Sequence, residues 1–155
     1  MNLLGAETQA YKQAQLVNAR SYFELDDYSE AELRYQGLDQ WASGEQGAQL
    51  LYARAYFAHL DQHYAQSNEL IQNLAQNYAF YSIYGAKGLL LMGLNFENMN
   101  DFFQARFIWQ NILDNMNEFP EIQAQAQDLL KALNEKEQST KDSMPKEENN
   151  QSEQN

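Results

Sequence analysis

The sequence predicts an all-α fold, an antiparallel helix-hairpin solenoid of about three units with a C-terminal capping helix. The stretch from Gly88 to Trp109 places apolar residues at Leu89, Met92, Phe96, Phe103, Phe107 and Trp109, interrupted by polar turn formers from Asn98 to Asp101. Two amphipathic helices joined by a tight turn fit that spacing better than one helix or any strand. Gly93 and Ala105 stand where the two helices can approach without side chains between them, so theirs is expected to be the tightest contact. Two prolines and seven glycines in 155 residues leave room for long helices elsewhere.

The other elements follow in order. From about Ala6 to Leu25, residues Ala10, Ala14, Val17, Tyr22 and Leu25 define one helical face, and Asp26-Asp27 turns the chain. A second helix runs from about Tyr28 to Trp41, with Ala31, Leu33, Tyr35, Leu38 and Trp41 as its apolar positions. Ser43-Gly44 ends it, the glycine supplying a left-handed cap. A third spans about Gln46 to Leu60, carrying Leu51, Ala55 and Ala58. Gln62-His63 leads into a fourth, about Tyr64 to Tyr78, with Leu70, Ile71 and Leu74. An aromatic-rich link at 77–82 precedes the central hairpin, where Gly85 and Gly88 suggest close packing against a neighbour. Pro120 suits a first helical turn and opens a last helix to about Glu137, with Ile122, Ala126, Leu129, Leu130 and Leu133 inward. The chain therefore divides into a helical domain at 1–137 and a polar tail at 138–155, expected to be disordered because one methionine is its only sizeable apolar residue.

Charge and composition exclude several classes of function. A net charge of −12, with ten lysines and arginines scattered singly, disfavours nucleic acid and anionic membranes as partners. The absence of cysteine removes disulfides, thiolate zinc sites and cysteine nucleophiles together. No run approaches the ~20 apolar residues of a spanning helix, so no membrane insertion is expected. The start, MNLLGAETQAYKQ, lacks a basic n-region and a long apolar core, so the chain is expected to be soluble and cytoplasmic by default. It also begins inside a helical pattern, as a piece of a longer protein would.

Overlaying the hairpins exposes a repeat. Aromatics head each second helix at Tyr28, Tyr64 and Phe102, spaced by 36 and then 38 positions. Three residues on come small Ala31, Ser67 and Ala105; four further come large Tyr35, Ile71 and Trp109; nine before each aromatic stand small Ala19, Ala55 and Gly93. The pattern resembles the tetratricopeptide repeat, whose signature runs large-x2-Leu-Gly-x2-Tyr, then Ala-x3-Phe, then Pro over ~34 residues. The third unit carries it best, at Leu89, Met92, Gly93, Phe96, Ala105 and Trp109. The first matches at Ala19, Tyr22, Ala31 and Tyr35 but has Gln15 and Asn18 at its first two large positions. The second matches at Leu51, Ala55, Ser67 and Ile71 and departs at Arg54 and Ala58. No unit has its proline in place. The resemblance covers roughly Gln13 to Pro120.

What the resemblance implies is a concave groove lined by the first helix of each hairpin. Family positions fall on Gln13, Leu16, Arg20 and Phe23 in the first unit, on Gln49, Tyr52, Tyr56 and His59 in the second, and on Lys87, Leu90, Leu94 and Glu97 in the third. Such a surface is expected to hold a protein or peptide segment carrying an apolar anchor and an acidic group. Alternatively, Leu16, Leu90 and Leu94 pack against a further helix. The family branch that grips a C-terminal carboxylate needs a cation and an amide where this chain has Leu16 and Tyr52, so that activity is disfavoured.

Candidate chemistry is sparse. His59 and His63 lie four apart near Asp61, but Leu60 follows the first histidine where a zincin motif needs glutamate, and no third ligand is evident. Two surface histidines beside a turn account for them. Neighbouring Asp26 and Asp27, or Glu147 and Glu148, do not face each other on a helix and imply no acid–base pocket. No catalytic residue, cofactor or metal is expected. The functional expectation is an interaction adaptor or scaffold; the alternative is an end-piece packing on a larger helical-repeat protein or assembly, and a metal-dependent hydrolase is a remote third.

Overall fold

Three helix pairs turn in the same way. The computed structural model describes residues 8–39 and 42–143. Its helices are α1 (Gln9–Glu24), α2 (Tyr28–Tyr35), α3 (Gly44–Leu60), α4 (Tyr64–Asn77), α5 (Ser82–Asn98), α6 (Phe102–Asn115) and α7 (Pro120–Ser143), with no strand among the described residues. After α1, α3 and α5, residues Asp26, Gln62 and Asn100 take φ of 60°, 63° and 61°. The next N–H groups, of Asp27, His63 and Asp101, reach back to the carbonyls of Tyr22, Ala58 and Phe96 at 3.0, 2.8 and 2.8 Å. That closure satisfies carbonyls the helix end leaves open. Asp27 and Asp101 then cap the following helices, accepting from the N–H of Glu30 at 3.3 Å and of Gln104 at 3.1 Å. Tyr28, Tyr64 and Phe102 are the first residues of α2, α4 and α6.

Small residues set the distance within each pair. Ala19 with Ala31, Ala55 with Ser67, and Ala105 are fully buried. In the second pair the backbones lie close enough for Ser67 Oγ to donate to the Ala55 carbonyl at 2.7 Å. Between pairs, α2 packs on α3, α4 on α5, and α6 on α7. Each seam takes two large residues three apart: Tyr35 and Leu38 against Leu50, Ala53 and Phe57; Ile71 and Leu74 against α5; Trp109 and Ile112 against Ile122, Ala126 and Leu130. Burying each such side chain stabilises by roughly 1.5–3 kcal/mol.

Several expectations change. The space left by Gly93 is filled by Trp109 rather than Ala105: a β-carbon built on Gly93 falls 2.6 Å from Trp109 Cε2 and closer still to Nε1. The indole N–H donates to the Leu90 carbonyl at 3.2 Å, which pins the ring over the glycine. Gly88 does pack closely, with Ile71 Cγ2 at 3.0 Å from a built β-carbon, but Gly85 meets nothing within 4 Å. Helix α2 stops at Tyr35, where Gln36 (φ −58°, ψ 130°) and Gly37 (φ +76°) form a turn. Gly44 (φ +59°) starts α3 rather than capping α2. Ala6 and Trp41 lie outside the described residues.

The inward face of α1 is rotated from the expected one. Leu16 and Ala19 are buried, whereas Ala10, Ala14, Val17 and Leu25 are exposed. Leu33, Phe103 and Phe107 are exposed as well, so apolar spacing alone overstated the core. Helix α7 continues to Ser143, past the Glu137 boundary. Once a helix is anchored by a packed face, each added residue gains a hydrogen bond without a new nucleus, and Glu, Lys and Gln at 135–138 are good helix formers. The remainder of the expected tail, 144–155, lies outside the described residues.

The two glycines of α5 give opposite predictions. Gly93→Ala drives a methyl into a pinned, fully buried indole and should cost about 1–3 kcal/mol. Gly85→Ala fills open space on a helix and should stabilise by about 0.4–1 kcal/mol. Urea unfolding of both variants reads the signs directly.

Candidate functional site

Helices α1, α3 and α5 turn side chains toward one hollow of about 300 Å³. Successive residues one helical turn apart supply its wall: Arg20 and Phe23 from α1, Gln49, Tyr52 and Tyr56 from α3, Tyr84 and Lys87 from α5. Tyr28 and Tyr35 of α2 line it too, with Glu24, Asp26 and Ala53. Phe23 meets Tyr28, Tyr52 and Tyr56 edge-on, with centroids at 5.4, 6.1 and 5.2 Å. Edge-to-face packing holds these rings rigid, so their outer surfaces form a fixed platform.

The polar groups are distributed unevenly. Arg20 is paired with Glu24 at 2.6 Å, and the Tyr28 hydroxyl donates to Asp26 at 2.5 Å. Gln49 Nε2 donates to the Tyr35 hydroxyl at 3.0 Å. Lys87 carries no ion pair among the described residues; its Nζ lies 5.7 and 6.0 Å from the ring centroids of Tyr84 and Tyr52. Burial disfavours the phenolate and raises the titration of Tyr52 and Tyr84, and pushes Tyr35 up to about 12. At neutral pH the hollow therefore offers aromatic surface, hydroxyl groups, the Arg20–Glu24 pair, the Asp26 carboxylate and the Lys87 cation held over rings.

A second hollow of about 390 Å³ adjoins the first through Tyr52 and Lys87. Ile83 and Leu90 line it from α5, Phe119 and Pro120 from the head of α7. Of the residues expected in a groove, Arg20, Gln49, Tyr52, Tyr56 and Lys87 thus share one hollow, and Leu90 opens onto the next. The others are engaged elsewhere. Leu16 is in the core. Leu94 is half-buried in the cluster that α7 completes, and Glu97 pairs with Lys136 of α7 at 3.4 Å. Helix α7 therefore covers that end of α5.

His59 is held by a buried polar network that sequence reading missed. Ser67 Oγ donates to the Ala55 carbonyl and so accepts from Asn95 Nδ2 at 2.8 Å; the same amide donates to Asn68 Oδ1 at 2.7 Å. That fixes the amide orientation, and Asn95 Oδ1 must accept from His59 Nδ1 at 2.6 Å. His63 is exposed in the next turn. Among the described residues no three His, Asp or Glu side chains gather as a metal would need. A polar residue at position 95, where the preceding turn has Leu91, was the only trace of the network in the sequence.

Comparison with known protein families, with curated proteins and with solved structures returns no match.

The buried phenols make stability sensitive to alkali. A tyrosine whose folded titration lies above its unfolded value near 10 holds its proton more tightly when folded. Its stabilising effect is complete below pH ~10 and is lost as pH rises through the folded value. Stability should be flat to about pH 9 and fall from pH ~10 to ~12, with a smaller fall in Tyr35→Phe. Separately, Asn95→Ala removes a partner from Asn68 and His59, leaving Ser67 its bond to the Ala55 carbonyl, and should cost about 1–3 kcal/mol in thermal unfolding.

Proposed function

We propose that this chain is a protein–protein interaction scaffold whose helix hairpins stack as a tetratricopeptide-like solenoid, binding a partner segment along the inner surface of α1, α3 and α5. It has no chemistry of its own in this reading. The observation that carries it is the convergence of Arg20, Gln49, Tyr52, Tyr56 and Lys87, from three helices not adjacent in sequence, on one hollow. Rigid tyrosines give large contact area with a polar end, and binding hot spots are composed in that way. Lys87, which has no ion pair among the described residues of an acidic chain, favours a segment carrying a carboxylate near an apolar anchor. The adjoining hollow at Leu90 and Phe119 has room for that anchor. No helix among the described residues is long and apolar enough to cross a membrane, and the net charge disfavours nucleic acid.

A second reading, an end-piece that packs on a larger helical-repeat protein or assembly, is favoured by a different observation, the uncovered face of α1.

Selection from a displayed library of random twelve-residue peptides tests the first reading. Peptides enriched on the wild-type protein should combine an acidic residue with a large apolar one. Lys87→Ala should weaken them by about 1 kcal/mol, most at low salt. Selection that yields no saturable binder, or binders indifferent to Lys87, contradicts the proposal.

A further inference from the structure

Each hairpin offers the next helix a pair of large residues three apart, and one helix receives no such pair. Aligned by their identical turns, α3 presents Leu50, Ala53 and Phe57 to α2, and all three are buried. In α5 the matching positions are Gly88, Leu91 and Asn95, again buried: Ile71 reaches Gly88, and Asn95 bonds to Ser67 and Asn68 of α4. In α1 the same positions are Ala14, Val17 and Ser21, and all are exposed, Val17 by 51%. Leu25 extends the strip, exposed by 76%. No described residue covers it.

We infer that this face of α1 docks a helix of another protein that presents two large apolar residues three apart, as α4 presents Ile71 and Leu74 to α5. The inference rests on the end-piece reading and deepens it by stating what the partner helix carries. Small residues at positions 14 and 21 leave recesses that large side chains fill, as Gly88 does for Ile71. The site continues, in register, the interface repeated inside the chain at α2 on α3 and α4 on α5. A second copy is a poor occupant. Its own pairs at Tyr35 with Leu38, Ile71 with Leu74, and Trp109 with Ile112 are already buried. One α1 face against another would set Ala14 and Ser21 against the same small residues and leave their recesses unfilled.

The probe is a synthetic peptide of residues 64–77, stapled on the face away from Ile71 and Leu74 to hold it helical and labelled for fluorescence anisotropy. Saturable binding to the full chain is expected, weakened tenfold or more by Val17→Glu in the protein and by Ile71→Ser with Leu74→Ser in the peptide. Val17 is exposed, so that variant should unfold at the wild-type temperature. Tyr56→Ala, which alters the aromatic hollow, should leave peptide binding unchanged and so separates this face from the groove. Failure to bind, or binding indifferent to Val17→Glu, overturns the inference. So does a concentration-dependent dimer abolished by Val17→Glu, which would make a second copy the occupant. Binding only after removal of residues 1–7 would assign the face to the chain's own segment and overturn it equally.

Discussion

The close approach of the two helices in each pair is the constraint on which the rest depends. Three left-handed turns bring each second helix back along the first, and residues no larger than serine at the contact let the backbones meet. That approach makes room for the large residue four positions on, which then reaches past its own pair into the next helix. In the third hairpin the geometry is tightest: Trp109 lies against Gly93, bonds to the Leu90 carbonyl, and also packs with α7. One side chain thus joins three helices. The inner surface is positioned by the same geometry, because only helices held at a constant spacing can line up Arg20, Tyr52 and Lys87 on one wall.

Much of the fold was legible in the sequence because it rests on local chemistry. Asp26-Asp27 and Asn100-Asp101 combine a residue tolerant of the left-handed region with a capping aspartate, and such pairs mark turns without reference to the rest of the chain. The small–large alternation marked the pairs. What failed was the assignment of faces. Periodicity finds an apolar stripe but does not say whether anything lies over it, and α1 carries two stripes, of which the one at Leu16 and Ala19 is covered. Phe103 and Phe107 were misjudged for the same reason. Two glycines, Gly37 and Gly44, follow the start of α2 and local chemistry does not say which ends it; the helix stops at Tyr35, before Gly37.

The candidate site was legible only through the repeat register. Arg20, Tyr52 and Lys87 lie on three different helices and nothing local links them; only the resemblance to the tetratricopeptide repeat put them on one expected wall. Glu97 and Leu94 fell in the same register but were withdrawn by α7, whose path depends on the turn at Met116 to Phe119 rather than on the repeat. The network around Asn95 lay beyond any such count. It requires knowing that Ser67, Asn68 and His59 converge, and burial without partners would have made each of them costly.

The packing of the third hairpin rests on the contact between Gly93 and Trp109, and a double-mutant cycle measures it. Gly93→Ala and Trp109→Leu are made singly and together, and unfolding free energies are compared. A methyl at position 93 is harmful here because the indole has nowhere to go, so it should become nearly harmless once the ring is gone. The predicted coupling is about 1 kcal/mol or more, the double variant being more stable than the sum of the single losses implies. Additive losses would mean that the two residues do not meet, and the packing described for the third hairpin would be wrong.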